Sequence, residues 1–407
     1  MTWAHTLFHR EGFRRLFAAQ AISSIGDWLA TFALMTLVLD ISGSAAAVGV
    51  VLALRFAPAT VAGALIGFVA TRWGRRVILV RLDLIRAGIT LLIPIVSALW
   101  WVYSWALALE VATVIAVAAR DASIRDLVDD SDLPVANGMV LAATYGAIPI
   151  GAGSFAAISA VVGALPGRLS TLGIQPAFWV DAVTFLASAL LIRRVGEISA
   201  RPDRSRVGGG RLRLRDSWGT PLVRATLPPI LAASLGIGTI FSLGVRFVRD
   251  TLGASEAQFG ILVVAFGIGA AGGLALRQMG TVAGVRAVRL GVAVMGTVMV
   301  GMALTSRLPL ALLLALLFGA GGALAIVSGL TVLQQELPSA ARLIALGAFH
   351  VAVRVALAAG ALAAGLVVDL MGATQLAGLD AVRFTLIASG AMVTASSLIV
   401  RAPQLSP

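Results

Sequence analysis

The sequence predicts an all-α membrane protein with twelve transmembrane helices arranged as two pseudo-symmetric six-helix halves. Of its 407 residues, 59% are hydrophobic and 12% are charged, and the mean hydropathy is +0.97. A soluble domain carries about 25% charged residues, so most of this chain must face lipid. Apolar runs long enough to cross a bilayer also follow one another along the chain, and Arg-rich loops alternate with Arg-poor ones.

Twelve spans result when the apolar runs are separated at Arg clusters and at Gly, Pro and Asp turns. The first span is not a cleavable signal peptide, because it is long, lacks a small-residue cleavage site and leads at once into another span. The predicted spans are 16–39, 45–70, 77–99, 104–120, 136–163, 176–193, 223–245, 257–278, 287–306, 308–333, 345–368 and 380–401.

The basic residues set the orientation. All 31 are Arg, and 23 of them fall on one side of the twelve-span arrangement. The positive-inside rule therefore places both termini in the cytoplasm of a cell whose plasma or inner membrane holds the protein. On the opposite side, Trp100, Trp101, Tyr103 and Trp105 suit an interfacial aromatic belt. The net charge of +12 is thus explained by membrane topology and by contact with lipid head groups, and it does not indicate nucleic-acid binding.

The largest predicted loop, 194–222, is rich in Arg and divides the chain into an N-terminal half, 1–193, and a C-terminal half, 223–407. A weak repeat relates the halves. The residues before the second and eighth spans share Asp, Gly, Ser and Gly at similar spacing: Asp40, Gly43, Ser44, Gly49 and Asp250, Gly253, Ser255, Gly260. Two related six-helix halves are typical of secondary transporters.

Several classes of chemistry are excluded by composition. The chain has no Cys and no Lys, which removes disulfides, thiolate sites, Schiff bases and Lys-containing phosphate loops. His5, His9 and His350 are too scattered for an obvious metal cluster. We therefore expect neither an enzyme, nor a metal site, nor a cofactor.

The loop after the second span reads GFVATRWGRR from Gly67 to Arg76. It resembles the motif GxxxDRxGRR of the major facilitator superfamily, and that resemblance implies twelve spans and transport of a small molecule. Thr71 stands where the family usually has Asp, so this loop lacks the charge of the ionic latch attributed to that Asp. The predicted conformational loop motif comprises Gly67, Thr71, Arg72, Gly74, Arg75 and Arg76.

Two further patches are similar to an efflux branch of this family that includes macrolide and siderophore exporters. The first is FRRLF with SIGDW, at 13–17 and 24–28. The second, in the fifth span, is a degenerate form of a Gly/Pro motif associated with antiporters, formed by Gly146, Pro149, Gly151 and Gly153. A kinked, closely packed helix pair would explain these residues equally well. Looser patches, such as 125–128, resemble transporter halves fused to thymidylate kinase.

Charged groups inside spans are functional candidates because burying them in lipid is costly. Asp27 lies near the middle of the first span, where a carboxylate could bind and release a proton, although a satisfied polar contact is an equal alternative. Arg55 is its predicted partner. Glu110 is the second carboxylate candidate, and Arg354 with His350 forms the comparable feature of the second half.

Other polar groups are interpreted as structural. Asp83 and Arg86 are spaced i, i+3 and can neutralise each other. Asp181 is placed near the outer end of a peripheral helix. Four Phe residues could offer apolar contact to a substrate, but Phe in membrane helices usually packs or faces lipid: Phe241, Phe259, Phe266 and Phe318.

The sequence therefore predicts a monomeric secondary transporter that exports a small lipophilic or amphipathic compound in exchange for protons. Its partners are a small-molecule substrate, protons and membrane lipids, without nucleic acid. An uptake permease of the same fold and a transport-inactive membrane scaffold are the alternatives.

Overall fold

The computed structural model describes residues 7–56, 58, 74–129, 131–166, 170, 172–196, 221–279, 282, 284–336, 339–376 and 378–399. The described chain is almost entirely helical. Its α-helices are α1 (Glu11–Ser42), α2 (Ala45–Phe56), α3 (Arg75–Leu92), α4 (Leu99–Leu127), α5 (Leu133–Ala164), α6 (Gln175–Arg193), α7 (Pro221–Arg246), α8 (Glu256–Gln278), α9 (Gly284–Leu304), α10 (Leu308–Glu336), α11 (Ser339–Met371) and α12 (Ala381–Ile399).

Within the described residues, ten of these helices are long and apolar enough to cross a membrane. The two others are α2 and α3. Helix α2 has 12 residues, and the remainder of the predicted second span lies outside the described residues. Helix α3 has 18 residues but carries five charged side chains. The prediction of an all-helical, multi-pass membrane protein is confirmed, whereas the count of twelve spans stays a prediction.

Helix α6 shows how the fold suits lipid. Its buried face includes Asp181 and Ser188, whereas bulky apolar side chains such as Trp179, Val183 and Leu190 are exposed. A helix on the surface of a soluble protein has the reverse arrangement. Polar side chains that are turned inward and apolar ones that are turned outward are what a bilayer requires.

The chain forms two compact units. The first unit comprises residues 1–41 and 57–208, and the second comprises 42–56 and 209–407. These units differ from the predicted halves at one place, because α2 packs within the second unit although it follows α1 in the chain. The predicted boundaries near 193 and 223 stay predictions.

Close backbone packing explains why α2 belongs to the second unit. A Cβ atom at Gly49 would overlap the carbonyl oxygen of Ala361 in α11, and one at Gly365 would overlap that of Ala45. Small residues at such crossings let two helix backbones approach and gain dispersion contacts. The α2–α11 contact is therefore made by main chain against main chain.

A carboxylate also fixes the start of α2. Asp369 of α11 accepts hydrogen bonds from the backbone N–H groups of Ala45 at 3.0 Å and Ala46 at 2.9 Å. It also accepts one from the Ser44 hydroxyl, and its Oδ1 lies 3.3 Å from a guanidinium nitrogen of Arg246. An anion at a helix N-terminus satisfies free N–H groups and complements the helix dipole.

The two repeat segments form similar turns. Gly43 and Gly253 have φ angles of 63° and 60°, which glycine adopts without strain. The Ser that follows each of them accepts a hydrogen bond from a backbone N–H of the next helix: Ser44 from Ala47 at 2.9 Å, and Ser255 from Gln258 at 3.4 Å. The shared residues therefore encode a turn and a helix cap in both places.

Helix α4 is longer than the predicted fourth span. The span was placed at 104–120, whereas α4 runs from Leu99 to Leu127 and includes Arg125 as well as Arg120. The helix extends beyond the apolar run because its last turns pack against other helices of the first unit. The Arg120 side chain, only 12% exposed, therefore lies inside the unit.

Candidate functional site

Polar side chains line the contact between α3 and α6 in the first unit. Helix α3 presents residues at i, i+3 and i+7, and helix α6 presents residues at i, i+4 and i+7; residues at these spacings share one helix face. Because the helices are antiparallel at this contact, positions 83, 86 and 90 meet 188, 185 and 181 in that order. Ser188 donates to Asp83 at 2.7 Å, the Arg86 guanidinium carbon lies 4.4 Å from the centre of the Phe185 ring, and Thr90 donates to Asp181 at 3.3 Å. We call these six residues the α3–α6 stripe.

Arg86 lies between two carboxylates. One of its terminal nitrogens forms an ion pair with Asp83, and the other is 4.0 Å from an oxygen of Asp27 in α1. Arg86 is 8% exposed, Asp83 1% and Asp27 20%. Asp83 and Arg86 do pair as their spacing suggested, but the pair also contacts Asp27 and is not an isolated structural contact. Arg55, the partner expected for Asp27, lies in the second unit at the end of α2.

A second guanidinium extends this group of residues. Arg120 of α4 donates to the side-chain oxygen of Gln20, and Gln20 in turn donates to Ser24 at 2.7 Å and to Thr144 at 3.0 Å. Gln20, Asp83, Arg86 and Arg120 all line one small cavity of about 10 Å³. That is about the volume in which one water molecule fits.

An apolar cavity occupies the second unit. Its volume is about 40 Å³, larger than that of the polar cavity in the first unit but smaller than a typical small-molecule pocket. The four Phe residues singled out in the sequence all line it, together with a fifth: Phe241, Phe247, Phe259, Phe266 and Phe318. The ring centres of Phe241 and Phe266 are 6.4 Å apart, and those of Phe266 and Phe318 are 5.9 Å apart. The structure thus brings aromatic residues that are far apart in the sequence together around one cavity.

The remaining charged candidates lie outside both the group of residues around Arg86 and the lining of the apolar cavity. Glu110 is buried within α4. Arg354 and His350 both lie in α11, where Arg354 is half-buried and His350 is exposed beside Phe349. Their proposed roles stay predictions.

The loop motif is described only in part. Gly67, Thr71 and Arg72 lie outside the described residues, whereas Gly74 precedes α3. Arg75 donates to the carboxylate of Asp126 and to the carbonyl oxygen of Ala122 at 3.0 Å, and Arg76 donates to the carbonyl oxygen of Val195 at 3.1 Å. These contacts hold the start of α3 against the ends of α4 and α6.

A second surface ion pair joins the segment before α1 to the loop after α4. Arg10 pairs with Asp129, and its guanidinium is 3.4 Å from Asp132. The hydrogen bond with Asp129 raises the pKa of Arg10. The described Asp residues of this loop therefore contact Arg side chains, and no group of three or more His, Asp or Glu side chains in the described chain could hold a metal ion.

The Gly/Pro motif of the fifth span lies in α5, with Pro149 in the helix interior. Gly151 faces α1, where a Cβ atom would lie 2.7 Å from the Cβ of Trp28 and 2.9 Å from the carbonyl oxygen of Ile25. Gly146 has open space at the corresponding position. Gly151 therefore serves close helix packing, a contact that a transporter of either direction could use.

In the sequence, the stripe is visible only when α3 and α6 are compared with each other. Asp83, Arg86 and Thr90 share the i, i+3, i+7 spacing with Asp181, Thr184 and Ser188. Two membrane helices with polar faces of the same period can hide those faces from lipid by pairing with each other. That shared period is the signal that would have found the site.

Comparison with known proteins decides the family. The family model described as Major Facilitator Superfamily matches residues 16–361. The chain belongs to this superfamily. No curated protein matches it significantly.

Solved structures of several transporters have a similar fold. One is a bacterial homolog of the human lysosomal transporter Spinster, inward-facing and occupied, with 14% identity, coverage of 95% of this chain and 94% of that one, and a TM-score of 0.76. The nucleoside transporter NupG has 11% identity, coverage of 96% and 97%, and a TM-score of 0.74. A D-xylose–proton symporter has 17% identity, coverage of 97% and 98%, and a TM-score of 0.69. These likenesses show that the chain has the fold of these transporters.

Proposed function

We propose that this superfamily member is a proton-coupled exporter of a small lipophilic or amphipathic compound. It would use twelve spans in two six-helix halves, in the cell membrane, with both termini cytoplasmic. The halves would expose a binding site to either side of the membrane in turn. Three features of the chain support parts of this proposal.

The charges around Arg86 are the observation that supports the proposed proton coupling. An Arg side chain keeps its charge in proteins, so Arg86 offers one positive charge to the two carboxylates of Asp27 and Asp83. Asp83 is the more buried and also accepts a hydrogen bond from Ser188. Asp27, farther from Arg86 and more exposed, is therefore the carboxylate that can take up a proton while Arg86 stays paired with Asp83.

The apolar cavity supports a lipophilic substrate. Its lining is almost wholly apolar, and five phenyl rings surround it. Such a surface gains free energy by burying apolar area, at roughly 25 cal/mol per Å². Outward direction is supported by the efflux-type patches at 13–17 and 24–28.

Removing the charge of Asp27 tests proton coupling. We expect Asp27→Asn to abolish proton-driven transport while leaving exchange of labelled compound between the two sides of the membrane, because exchange needs no net proton movement. Everted vesicles that hold a pH gradient would be screened for compounds that dissipate it. Asp380→Asn makes the same chemical change at a half-exposed carboxylate and serves as the control.

The outcome of that screen separates the alternatives. An Asp27→Asn protein that still dissipates the gradient at the normal rate would remove Asp27 from the mechanism. Accumulation of compound in whole cells would indicate an uptake permease. A wild-type protein that moves no compound in either assay, across a broad library, would favour the scaffold.

Filling the apolar cavity tests the substrate class. Ala315 lies in α10 on the cavity wall and is 2% exposed. We expect Ala315→Leu to fold, because its added atoms enter existing space, and to raise the KM for the exported compound by about tenfold, which corresponds to ~1.4 kcal/mol. Transport kinetics in vesicles measure this. An unchanged KM would place the compound elsewhere.

A further inference from the structure

Asp369 is in the last turn of α11, but its partners lie on other helices. Helix α11 ends at Met371, and a negative charge in the last turn of a helix is opposed by the helix dipole. The carboxylate instead accepts hydrogen bonds from three donors at the start of α2, within residues 44–46, and contacts Arg246 at the end of α7. Its position is therefore explained by what it binds on α2 and α7, and not by its own helix.

The last turns of α7 lie between α2 and the apolar cavity. Four residues of this segment and the one that follows the helix line the cavity: Ile240, Phe241, Leu243, Gly244 and Phe247. Ser242 and Arg246, spaced i, i+4, share the opposite face. Ser242 donates to the carbonyl oxygen of Ala45 at 3.3 Å and is 2% exposed, and Arg246 contacts Asp369. Helices α2 and α11 thus cover the side of α7 that is turned away from the cavity.

The sequence repeat assigns α2 to the N-terminal half of the chain. The turn and cap before α2 correspond to those before α8, so α2 is the second helix of its half as α8 is of the other. The proposed function requires the two halves to move against each other. Since α2 packs on α11 here, through Gly49 and Gly365, this contact has to separate in part of the transport cycle. Close contacts lose a quarter to a half of their dispersion energy over a gap of about 0.5–1 Å, so a small displacement releases them.

We propose that α2 and α11 form a gate and that Asp369 holds this gate closed in this conformation. The inference rests on the proposed function, which supplies the movement of the halves. When Asp369 releases the start of α2, the helix separates from α11, and Ser242 on α7 becomes accessible to water. The gate is on the side of the membrane predicted to be outside the cell. Its opening therefore uncovers the α7 segment that lines the cavity toward the side to which the compound is exported.

A thiol placed under α2 reports whether the gate is open. The chain has no Cys, so Ser242→Cys introduces a single thiol by the change of one atom at a buried position. The rate of its labelling by a charged maleimide would be measured in purified protein, alone and combined with Asp369→Asn. We expect Asp369→Asn to raise the rate about tenfold or more, because hydrogen bonds to a charged group are lost. An unchanged rate overturns the proposal.

Two controls separate an open gate from unfolding. Asp380→Asn, combined with Ser242→Cys, makes the same change at a carboxylate outside the gate and should leave the rate unchanged. Ser397→Cys, in place of Ser242→Cys, puts the thiol at a buried position of α12 and should label slowly with or without Asp369→Asn. A rate that rises equally at both thiols would show that Asp369 stabilises the whole protein, and it overturns the proposal.

A milder variant, Ser44→Ala, covers the case in which Asp369→Asn yields no folded protein. It removes one donor to Asp369 together with the cap of α2, and we expect Ser242→Cys to be labelled about fivefold faster, the equivalent of one helix cap. Ser255→Ala removes the corresponding cap of α8 and should leave the labelling rate unchanged. Equal rates in these two variants overturn the proposal.

The labelling needs neither a compound nor a proton gradient, so it tests the gate separately from the proposed function. If the labelling rates behave as expected while wild-type protein transports no compound, the proposed function fails and the gate stands.

Discussion

Replacing Arg86 by Met is expected to destabilise the protein by about 3–5 kcal/mol, because it leaves the buried carboxylate of Asp83 and the partly buried one of Asp27 without their shared positive charge. The measurement is thermal unfolding of the purified protein in detergent, together with the yield of folded protein. Arg81→Met is the matched control, since Arg81 is on the same helix and exposed. We expect it to change stability by less than about 1 kcal/mol.

Removing the carboxylates as well distinguishes charge from packing. We expect the triple variant Arg86→Met, Asp27→Asn, Asp83→Asn to regain most of the lost stability, because a buried ionic group replaced as a whole is often close to neutral. It should remain unable to couple transport to protons. A triple variant as unstable as Arg86→Met alone would show that Arg86 acts through its shape, including its contact with Phe185, and not through its charge.

Two neighbouring glycines of α8 are expected to respond in opposite ways to the same substitution. A Cβ atom at Gly273 would overlap the carbonyl oxygen of Ala320 in α10, whereas one at Gly272 would meet nothing within 4 Å. Gly273→Ala must push two helix backbones apart, and overpacking of this kind costs about 1–3 kcal/mol or more. Gly272→Ala should be neutral or stabilise by up to ~1 kcal/mol, because Ala is the better helix former.

Thermal unfolding in detergent compares these two variants directly. The pair shares helix, residue type and substitution, so a difference in melting temperature isolates the α8–α10 contact. Equal melting temperatures would contradict this packing. Gly269 and Gly319 make further backbone contacts between the same helices, and Ala at either position should therefore behave like Ala at 273.

The helical membrane fold was predictable because its signal is carried by long stretches of residues. Apolar runs and Arg-rich loops each involve many side chains, so errors at single positions do not change the result. Helix ends were less predictable. Arg120 ended the fourth apolar run in sequence, but the structure keeps it helical and pairs it with Gln20. Such a pair requires knowledge of which helices are neighbours, which hydropathy does not supply.

The sequence indicated which residues belong to the candidate site, but it did not indicate which of them contact each other. Asp27 was identified because a charge near the middle of a span is costly, yet its neighbour Arg86 was assigned to Asp83 alone. The buried Asp181 was interpreted as peripheral because its position in α6 was judged without the α3 face opposite it. The Phe cavity shows the same limit, since four rings on three helices reveal a common cavity only after the helices pack.

The position of α2 determines whether the chain can be cut into two fragments that each fold. A cut within the predicted loop 194–222 would leave α2 on the first fragment, whereas its partner α11 and the capping carboxylate of Asp369 would be on the second. The first fragment would carry a bare glycine-lined helix surface around Gly49, and the second would lack the helix that covers it. The loop is therefore a boundary in the sequence, but it does not separate two parts that each contain all the helices of one unit.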